Sequence, residues 1–306
     1  MKIMFHLGMD IGGTKIEVQV LDKSGTSIYR HRTATHTQST EALVEQVVLL
    51  IRDAEAEVGQ PCTLGVGLPG SLDPQSGLLK NSNILSLNQH PVQQLLVQRL
   101  QRPITLTNDA NCFALSEAMD GAGAGHHCVA GVILGTGCGG GIVIGQQLQQ
   151  GKNGNSGEWG HVALPGYQQE RDGAPHRCYC GQWNCLESFV SGTGITRQLR
   201  SEFGESMNGE QFFHDYSLHP TPHSIQWVER FRDQLSRVLA MIVNILDPDI
   251  IVLGGGLSNV SPLHSNLADC MSQYTFGRYA NTPVVTARHG DSSGVRGAAW
   301  LGGNAL

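Results

Sequence analysis

Three cysteines lie close together in the segment RCYCGQWNC, and a histidine precedes them in the segment GEWGH. They are Cys178, Cys180, Cys185 and His161. Three thiolates and one neutral imidazole complete a tetrahedral shell around Zn²⁺ and leave no open position for water, which is typical of a structural zinc site. A redox centre or a chance cluster is the alternative, but clustered thiols in a cytosolic chain favour a metal over disulfides. The spacing therefore predicts a structural zinc ion bound by these four residues.

Two acidic residues flank the predicted metal ligands. Glu158 stands three residues before His161, and Glu187 stands two residues after Cys185. Metal binding would fix both carboxylates, and a histidine that binds zinc through one ring nitrogen can donate a hydrogen bond from the other. Two carboxylates and an imidazole held together in this way are suited to binding neighbouring hydroxyl groups of a sugar.

The segment TNDANC contains a candidate catalytic base. It follows a predicted strand, and Asp109 begins a predicted helix directly after Asn108. A carboxylate at the C-terminal end of a strand can accept the proton of a substrate hydroxyl, as phosphoryl transfer to an alcohol requires. The alternative is structural, with Asp109 as the N-cap of the helix and Asn108 as a turn residue.

Three glycine-rich segments follow or connect predicted strands. They are DIGGTK (10–15), GTGCGGG (135–141) and GGG (254–256). Consecutive backbone N–H groups in such turns, joined by a Thr hydroxyl and a Lys ammonium, can bind phosphate oxygens, and Asp10 could hold Mg²⁺. A plain hairpin turn is the alternative for DIGGTK alone. Two phosphate-binding turns and a third loop that approaches an adenine or ribose together predict a nucleoside triphosphate site.

Two α/β halves are needed to position these residues. Apolar periodicity predicts strands at Phe5 to Asp10, Lys15 to Leu21, Ser27 to Arg32, Leu64 to Gly67, Ile104 to Thr107, Val129 to Leu134, Gly140 to Ile144 and from Ile250 onward. It predicts helices at Thr40 to Val58, Asp109 to Asp120 and Ile225 to Leu246. Each half opens with a strand, a glycine turn and another strand, and the boundary is expected near residue 120, in the small-residue run DGAGAG.

The composition restricts the possible partners. The chain has 306 residues, 39 of them glycine, and a formal net charge of −6. This negative charge would repel nucleic acids and anionic membranes, so neither is an expected partner. No apolar run approaches the roughly 20 residues that span a bilayer, and no cleavage site follows the N-terminal MKIMFHLGMDIGG, so we expect a cytoplasmic protein.

Taken in order, the motifs resemble those of a known family. DIGGTK, LPG, NDANC, GTGCGGG, GEWGH, CYCGQWNCLE, DPDIIVLGGGLSN and HGDSSGVRGAA are similar to motifs of the ROK family of bacterial sugar kinases, over residues 7–302. The resemblance implies the actin-like ATPase (ribonuclease H-like) fold, with two α/β domains and an interdomain cleft. We expect an N-terminal domain of residues 1–120 and a larger C-terminal domain of residues 121–306, whose last helix packs back on the N-terminal domain.

The resemblance also implies roles for individual residues. It makes Asp109 the general base and assigns zinc to the four ligands named above. The implied sugar contacts are Gly70, Asn108, Asp109, Glu158, His161 and Glu187, with Asn83 added from the loop that follows Gly70. The implied ATP-binding residues are Asp10, Gly12, Gly13, Thr14, Lys15, Gly135, Thr136, Gly137 and Gly139, with Gly255 and Gly256 on the nucleotide side. Asn184 departs from the second glycine of the usual CGxxGC, but Asn tolerates left-handed backbone angles, so we expect an intact zinc loop.

Within the family, the sequence is most similar to the fructokinase (mannokinase) branch. The loop LPGSLDPQSGLLKNSNILSLN (68–88) and the segments CYCG and HGDSSGVRGAAWL carry this similarity. It implies ATP- and Mg²⁺-dependent phosphorylation of fructose at O6, with mannose as a second candidate substrate. N-acetyl-D-glucosamine kinase is the alternative, because those enzymes share nearly all of the other motifs. Similar proteins are usually homodimers, and we expect one here.

Two other classes of protein share this fold, and neither is favoured. An ROK repressor carries an added N-terminal helix-turn-helix, for which the residues before Gly8 leave no room. A chaperone-like actin-fold ATPase would have little use for the zinc ligands and the two acidic residues beside them. No function follows from the sequence for the segments 167–176 and 214–223.

Overall fold

The structure is a computed structural model that describes residues 5–303 of the chain. Contacts divide the chain into two compact units that alternate along the sequence. Unit 1 holds the residues up to His127, residues 141–157 and the residues from Arg288 onward, and unit 2 holds residues 128–140 and 158–287. Among the described residues, no helix combines the length and the apolar character needed to cross a membrane.

Strands and helices alternate along residues 5–303, in agreement with the α/β class expected from the sequence. The strands are β1 (His6–Ile11), β2 (Lys15–Leu21), β3 (Ser27–Ala34), β4 (Thr63–Leu68), β5 (Ser71–Leu72), β6 (Leu79–Lys80), β7 (Thr105–Asn108), β8 (Cys128–Leu134), β9 (Cys138–Ile144), β10 (Gln147–Leu148), β11 (Ile250–Gly254) and β12 (Val284–Thr286). The α-helices are α1 (Thr40–Val58), α2 (Val92–Leu100), α3 (Asp109–Met119), α4 (Gln169–Asp172), α5 (Glu187–Val190), α6 (Gly192–Phe203), α7 (Gly209–Leu218), α8 (Pro222–Leu246), α9 (Ser261–His264), α10 (Leu267–Ser272) and α11 (Ser293–Gly303). Short 3-10 helices lie at Leu85–Leu87, Trp159–His161, Gly256–Asn259, Phe276–Arg278 and Gly290–Ser292.

The sheet of unit 1 brings three strand ends to one edge. Its strand order is β3-β2-β1-β4-β7, with β1, β2 and β3 antiparallel and β4 parallel to both β1 and β7. Asp10 is paired with Gly67, and Leu68 is paired with Asn108. Because β1, β4 and β7 run in the same direction, the residues that follow them share one edge of the sheet, where ligands of α/β proteins bind.

Helix α1 covers part of this sheet, and its bounds follow from two local signals. The hydroxyl of Ser39 accepts a hydrogen bond from the N–H of Ala42 at the N-terminus, and Gly59 ends the helix with a left-handed φ of 73°. Both are standard ways to satisfy the free groups of a helix end. The buried face of α1, which includes Leu43 and Ile51, belongs to the core of unit 1.

Helix α11 packs unusually close to its neighbours in unit 1. A Cβ atom at Gly65 in β4 would lie 1.9 Å from the carbonyl oxygen of Ala298, and one at Gly297 would lie 1.7 Å from that of Cys112 in α3. Only glycine permits such an approach. These glycines let the last described helix lie directly on α3, which begins at Asp109, and on β4, the strand between those that carry Asp10 and Asn108.

The second five-stranded sheet has the order β10-β9-β8-β11-β12, in which β11 is parallel to β8 and β12. Helix α8 supplies much of the core of unit 2 through Trp227, Phe231 and Leu239. It begins three residues before the predicted Ile225, because Thr221 and Ser224 form a capping box and Pro222 occupies the first turn.

Candidate functional site

The turn between β1 and β2 has the shape of an anion-binding loop. It is closed by a hydrogen bond of 2.9 Å from the N–H of Gly12 to the carbonyl of Lys15. The hydroxyl and the N–H of Thr35 donate to the carbonyls of Gly12 and Thr14. These three carbonyl oxygens are therefore bound within the protein, while Gly13, Thr14 and Lys15 are exposed. An exposed turn with its carbonyls occupied can offer N–H groups, a hydroxyl and an ammonium to phosphate oxygens.

Asp109 is the first residue of α3, and Asn108, not Asp109, is the N-cap of this helix. The side chain of Asn108 accepts a hydrogen bond of 2.7 Å from the N–H of Asn111 and is the N-cap of α3. Asp109 is the first helical residue, and its Oδ1 accepts 2.8 Å from the N–H of Ala110. The residue is exposed by surface area, yet partial withdrawal from bulk water raises the pKa of its carboxyl above the ordinary value. An accessible carboxylate with a raised pKa is a stronger base than an ordinary aspartate.

Asp10 lies close enough to Asp109 for their charges to interact. Burial raises the pKa of Asp10 to about 6, and the negative charge of Asp109 adds to this rise. A divalent cation prefers oxygen ligands and would relieve the repulsion between two such carboxylates. The oxygen donors of this pair therefore fit Mg²⁺, and the role of Asp10 toward the ion stays a prediction.

Two more predicted sugar contacts lie at this edge of unit 1. Gly70 has a φ of 93°, and a Cβ atom there would lie 2.5 Å from the carbonyl oxygen of Lys80, so no other residue fits without strain. A small cleft of about 60 Å³ is lined by Gly70, Thr107, Asn108 and other residues of unit 1. Asn83 lies beside the phosphate turn, with its Oδ1 3.9 Å from the position a Cβ of Gly13 would take.

The four predicted zinc ligands come together in unit 2. The ligand atoms of His161, Cys178, Cys180 and Cys185 all lie within 4.8 Å of one another. Nδ1 of His161 is 3.6 Å from Sγ of Cys178, and the Sγ atoms of Cys180 and Cys185 are also 3.6 Å apart. Zn–S and Zn–N bonds of about 2.3 and about 2.05 Å at a tetrahedral angle place neighbouring ligands about 3.6–3.8 Å apart. The geometry thus fits a tetrahedral zinc ion.

Asn184 and the segment 167–176 support this loop. Asn184 has a left-handed φ of 55°, as its place in the usual glycine pattern requires, and its side chain accepts a hydrogen bond from the N–H of His176. In the same segment, the carboxylate of Asp172 is almost fully buried and forms an ion pair with Arg237 of α8. The segment 167–176, for which the sequence indicated no role, therefore connects the loop of predicted metal ligands to α8.

Glu187 and the second glycine turn are bound to each other. Oε2 of Glu187 accepts a hydrogen bond of 3.1 Å from the N–H of Cys138. A Cβ atom at Gly137 would lie 2.6 Å from the same oxygen, so the missing side chain makes room for the carboxylate. Gly137, predicted to contact the nucleotide, thus lies directly against Glu187, a predicted sugar contact.

Tyr179 stands between two predicted metal ligands and contacts a third, His161. The sequence did not predict this contact. The hydroxyl of Tyr179 is 3.1 Å from Nε2 of His161. Partial withdrawal of its hydroxyl from water raises the pKa of Tyr179 to about 12, although the side chain as a whole is exposed, and the charges of Glu187, Cys178 and Glu158 add to this rise. The phenol is therefore neutral at physiological pH, and its neighbours include both predicted sugar carboxylates.

A large cavity of unit 2 lies beside the second glycine turn. It has a volume of about 1040 Å³ and is lined by Gly135, Thr136, Gly256 and one face of α6, among other residues. The α6 residues of the lining are Gly192, Thr193, Thr196, Arg197, Arg200 and Ser201. The lining includes neither Gly137 nor Gly139, which lies in β9. Gly255 has a φ of 81° and shapes the loop without lining the cavity.

Sequence reasoning missed the wall formed by α6. The N–H groups of Gly192 and Thr193 donate to the carbonyls of Gly135 and Thr136, at 2.7 and 3.1 Å. The available signal was the segment SGTG (191–194), a second Gly-Thr-Gly placed after a serine that caps the helix. A helix N-terminus next to a glycine turn favours bound phosphate.

Comparison with known proteins gives consistent matches along almost the whole chain. A model of the ROK family matches residues 6–304. An N-acetyl-D-glucosamine kinase of Pectobacterium atrosepticum is 36% identical over 97% of this chain and 98% of its own length, and one of Haemophilus influenzae has the same identity and coverage. The crystal structure of an ROK hexokinase from Thermus thermophilus superposes with a TM-score of 0.87 at 29% identity, over 97% of both chains.

These matches confirm the coarser expectations and correct a finer one. The ATP-dependent sugar kinase class and the fold of the ROK kinases are confirmed. The fructokinase assignment finds no support, because the relatives matched over 97% of the chain are named N-acetyl-D-glucosamine kinases. The loop 68–88 and two short segments were too little sequence to identify the branch. The chain belongs to the ROK family.

Proposed function

We propose that this protein is an ATP-dependent N-acetyl-D-glucosamine kinase, which transfers the γ-phosphate of ATP to the primary O6 hydroxyl of the sugar. The observation that carries the proposal is the 36% identity to N-acetyl-D-glucosamine kinases over 97% of the chain. N-acetyl-D-glucosamine therefore replaces fructose as the favoured substrate. The accessible carboxylate of Asp109 at the end of β7 supports a reaction that begins with a substrate hydroxyl.

Asp109 accepts the proton of the sugar hydroxyl as that oxygen attacks the γ-phosphorus. The bond between the γ-phosphorus and the bridging oxygen of ADP breaks as the new P–O bond forms. Withdrawal from water raises the pKa of Asp109, which brings its basicity closer to that of the alcohol it serves. Asn108 is the N-cap of α3 and fixes the start of this helix, so Asp109, its first residue, has a defined position.

The phosphate turn of residues 10–15 holds the transferring end of ATP. Gly13, Thr14 and Lys15 offer backbone N–H groups, a hydroxyl and an ammonium to the phosphate oxygens, and Gly12 closes the turn through its N–H bond to the carbonyl of Lys15. Asp10 would hold Mg²⁺, directly or through water, and the ion when bound neutralises phosphate charge. The remainder of the nucleotide would occupy the cavity lined by Gly135, Thr136, Gly256 and α6, with Gly139 near the start of β9 and Gly255 in the adjoining loop.

The zinc ion has a structural part in this proposal. His161, Cys178, Cys180 and Cys185 would hold it as a closed tetrahedral site, and the ion when bound fixes the loops that carry the sugar-binding groups. We assign sugar contacts to Gly70, Asn83, Asn108 and Asp109 in unit 1, and to Glu158, His161 and Glu187 in unit 2. The homodimer expected from the resemblance stays a prediction, which light scattering can check.

A coupled assay of ADP release tests the substrate. The purified protein is supplied with Mg²⁺-ATP and, separately, with N-acetyl-D-glucosamine, N-acetylmannosamine, glucose, mannose and fructose. We expect the highest kcat/KM with N-acetyl-D-glucosamine. A higher value with fructose would restore the fructokinase assignment, and the absence of turnover with every hexose would refute the kinase proposal.

A further inference from the structure

Tyr179 is an exposed side chain that makes a specific contact with His161. It stands between the ligands Cys178 and Cys180, and it is 82% exposed. Its hydroxyl nevertheless lies 3.1 Å from Nε2 of His161. Its ring meets the imidazole edge-on, at 90° with ring centroids 5.2 Å apart. An exposed, polar side chain thus contacts His161, the residue to which we assign both the metal and the sugar.

The direction of the hydrogen bond follows from the metal geometry. Nδ1 of His161 faces the cluster, 3.6 Å from Sγ of Cys178, and is the nitrogen suited to bind zinc. A neutral imidazole that binds a metal through Nδ1 carries its hydrogen on Nε2. The Nε2–H group of His161 therefore donates to the oxygen of Tyr179. The same hydrogen is the one that a sugar oxygen bound to His161 would use.

We propose that Tyr179 is a specificity-determining placeholder: its hydroxyl occupies the place of a sugar oxygen on His161, and the substrate displaces it on binding. The inference rests on the proposed function, which assigns His161 to the sugar. Displacement needs little rearrangement, because Cys178 and Cys180 fix the main chain on either side while the exposed ring can rotate within nanoseconds. A sugar must offer His161 a better acceptor than the phenol does, so the contact selects against sugars that lack an oxygen at that position.

Substitution Tyr179→Phe removes the competing oxygen and keeps the ring. In the ligand-free variant, water takes the place of the phenol on Nε2–H. The net value of one hydrogen bond over its exchange with water corresponds to a change in affinity of about threefold to tenfold. We therefore expect the Kd of N-acetyl-D-glucosamine, measured by calorimetry without ATP, to fall by about that factor. Tyr179→Leu, which also removes the hydroxyl, should tighten binding in the same direction.

Tyr279→Phe is the matched control, since Tyr279 is 72% exposed and belongs to no predicted site. It should leave the Kd unchanged. Zinc per chain, measured by atomic absorption, should equal that of the wild type in all three variants. An unchanged or weaker Kd in both Tyr179 variants with full zinc content would overturn the placeholder role, and a weaker one would make Tyr179 a direct sugar contact. Failure of the wild type to bind any hexose would refute the proposed function instead.

Discussion

The contact between Gly137 and Glu187 gives a sharp test of how the second glycine turn works. In Gly137→Ala, the new Cβ would lie 2.6 Å from Oε2 of Glu187, whereas ordinary contacts begin at 3.4 Å. The carboxylate is the flexible end of its side chain, so it has to move by about 0.8 Å while the fold stays intact. We therefore expect Gly137→Ala to displace the carboxylate of Glu187, a predicted sugar contact, without unfolding the protein.

The expected size follows from the hydrogen bond that this movement weakens. Oε2 accepts from the N–H of Cys138 at 3.1 Å, and a displacement of about 0.8 Å takes it away from that donor. Hydrogen bonds to charged groups contribute about 1.5–3 kcal/mol, which corresponds to roughly a 10- to 100-fold change in affinity. The KM for the sugar should rise by that factor while the KM for ATP changes by less than about threefold.

Steady-state kinetics with each substrate varied in turn measures both constants. Gly135→Ala is the matched control from the same turn, because its Cβ would meet no atom closer than 3.7 Å, and it should leave the KM for the sugar unchanged. If Gly137→Ala raises the KM for ATP and leaves that for the sugar alone, Gly137 contacts the nucleotide and our reasoning about Glu187 is wrong.

Three further predictions concern a buried ion pair, the zinc site and the packing of α11. Asp172→Asn should lower the free energy of unfolding in urea by about 1–3 kcal/mol, since it removes the fully buried partner of Arg237 and leaves only the partly exposed Asp233 to pair with it; a loss below about 0.5 kcal/mol would contradict this ion pair. Burial alone would raise the pKa of Asp172, but hydrogen bonds from Arg237, the N–H of Gln168 and Arg171 lower it below the ordinary value. The stabilisation from this ion pair is therefore present above the ordinary pKa of an aspartate and lost as the pH falls through the folded-state value, so urea titrations at pH 6 and pH 3 should differ less in Asp172→Asn than in the wild type. Chelation should release one zinc per chain and raise the Kd for the sugar more than that for ATP; a fully active zinc-free protein would contradict the structural role. Gly65→Ala should prevent the close packing of α11, because its Cβ would lie 1.9 Å from the carbonyl of Ala298, and hydrogen exchange in α11 should accelerate; Gly209→Ala, whose Cβ meets no atom within 4 Å, is the control.

Features that are determined by neighbouring residues in the sequence could be predicted. Helix α1 has the predicted bounds because Ser39 and Gly59 mark its ends within one turn of the chain. The predicted ligands Cys178, Cys180 and Cys185 come together because they lie within one segment of eight residues, and Asn184 adopts the left-handed angle that the usual glycine would. Such signals do not depend on the rest of the fold.

Features that depend on distant contacts could not be predicted in the same way. Gly137 meets Glu187 across 50 residues of chain, so its turn looked like an ordinary phosphate loop. The wall of the large cavity comes from α6, for which SGTG (191–194) is a local signal of a capped helix, but the backbone hydrogen bonds that join this helix to Gly135 and Thr136 cannot be inferred from that segment. The choice of sugar depends on a few side chains, and the loop 68–88 indicated a branch that the whole-chain identity does not support.

The kinetics of Asp109→Asn test the central claim, that Asp109 accepts the proton of a sugar hydroxyl. The amide has nearly the same shape but cannot take that proton, so kcat should fall by about 100- to 10,000-fold. The Kd for N-acetyl-D-glucosamine should stay within about threefold of the wild type, and the exposed Asp53→Asn in α1 should match the wild type in both quantities. A kcat for Asp109→Asn within tenfold of the wild type would contradict the account.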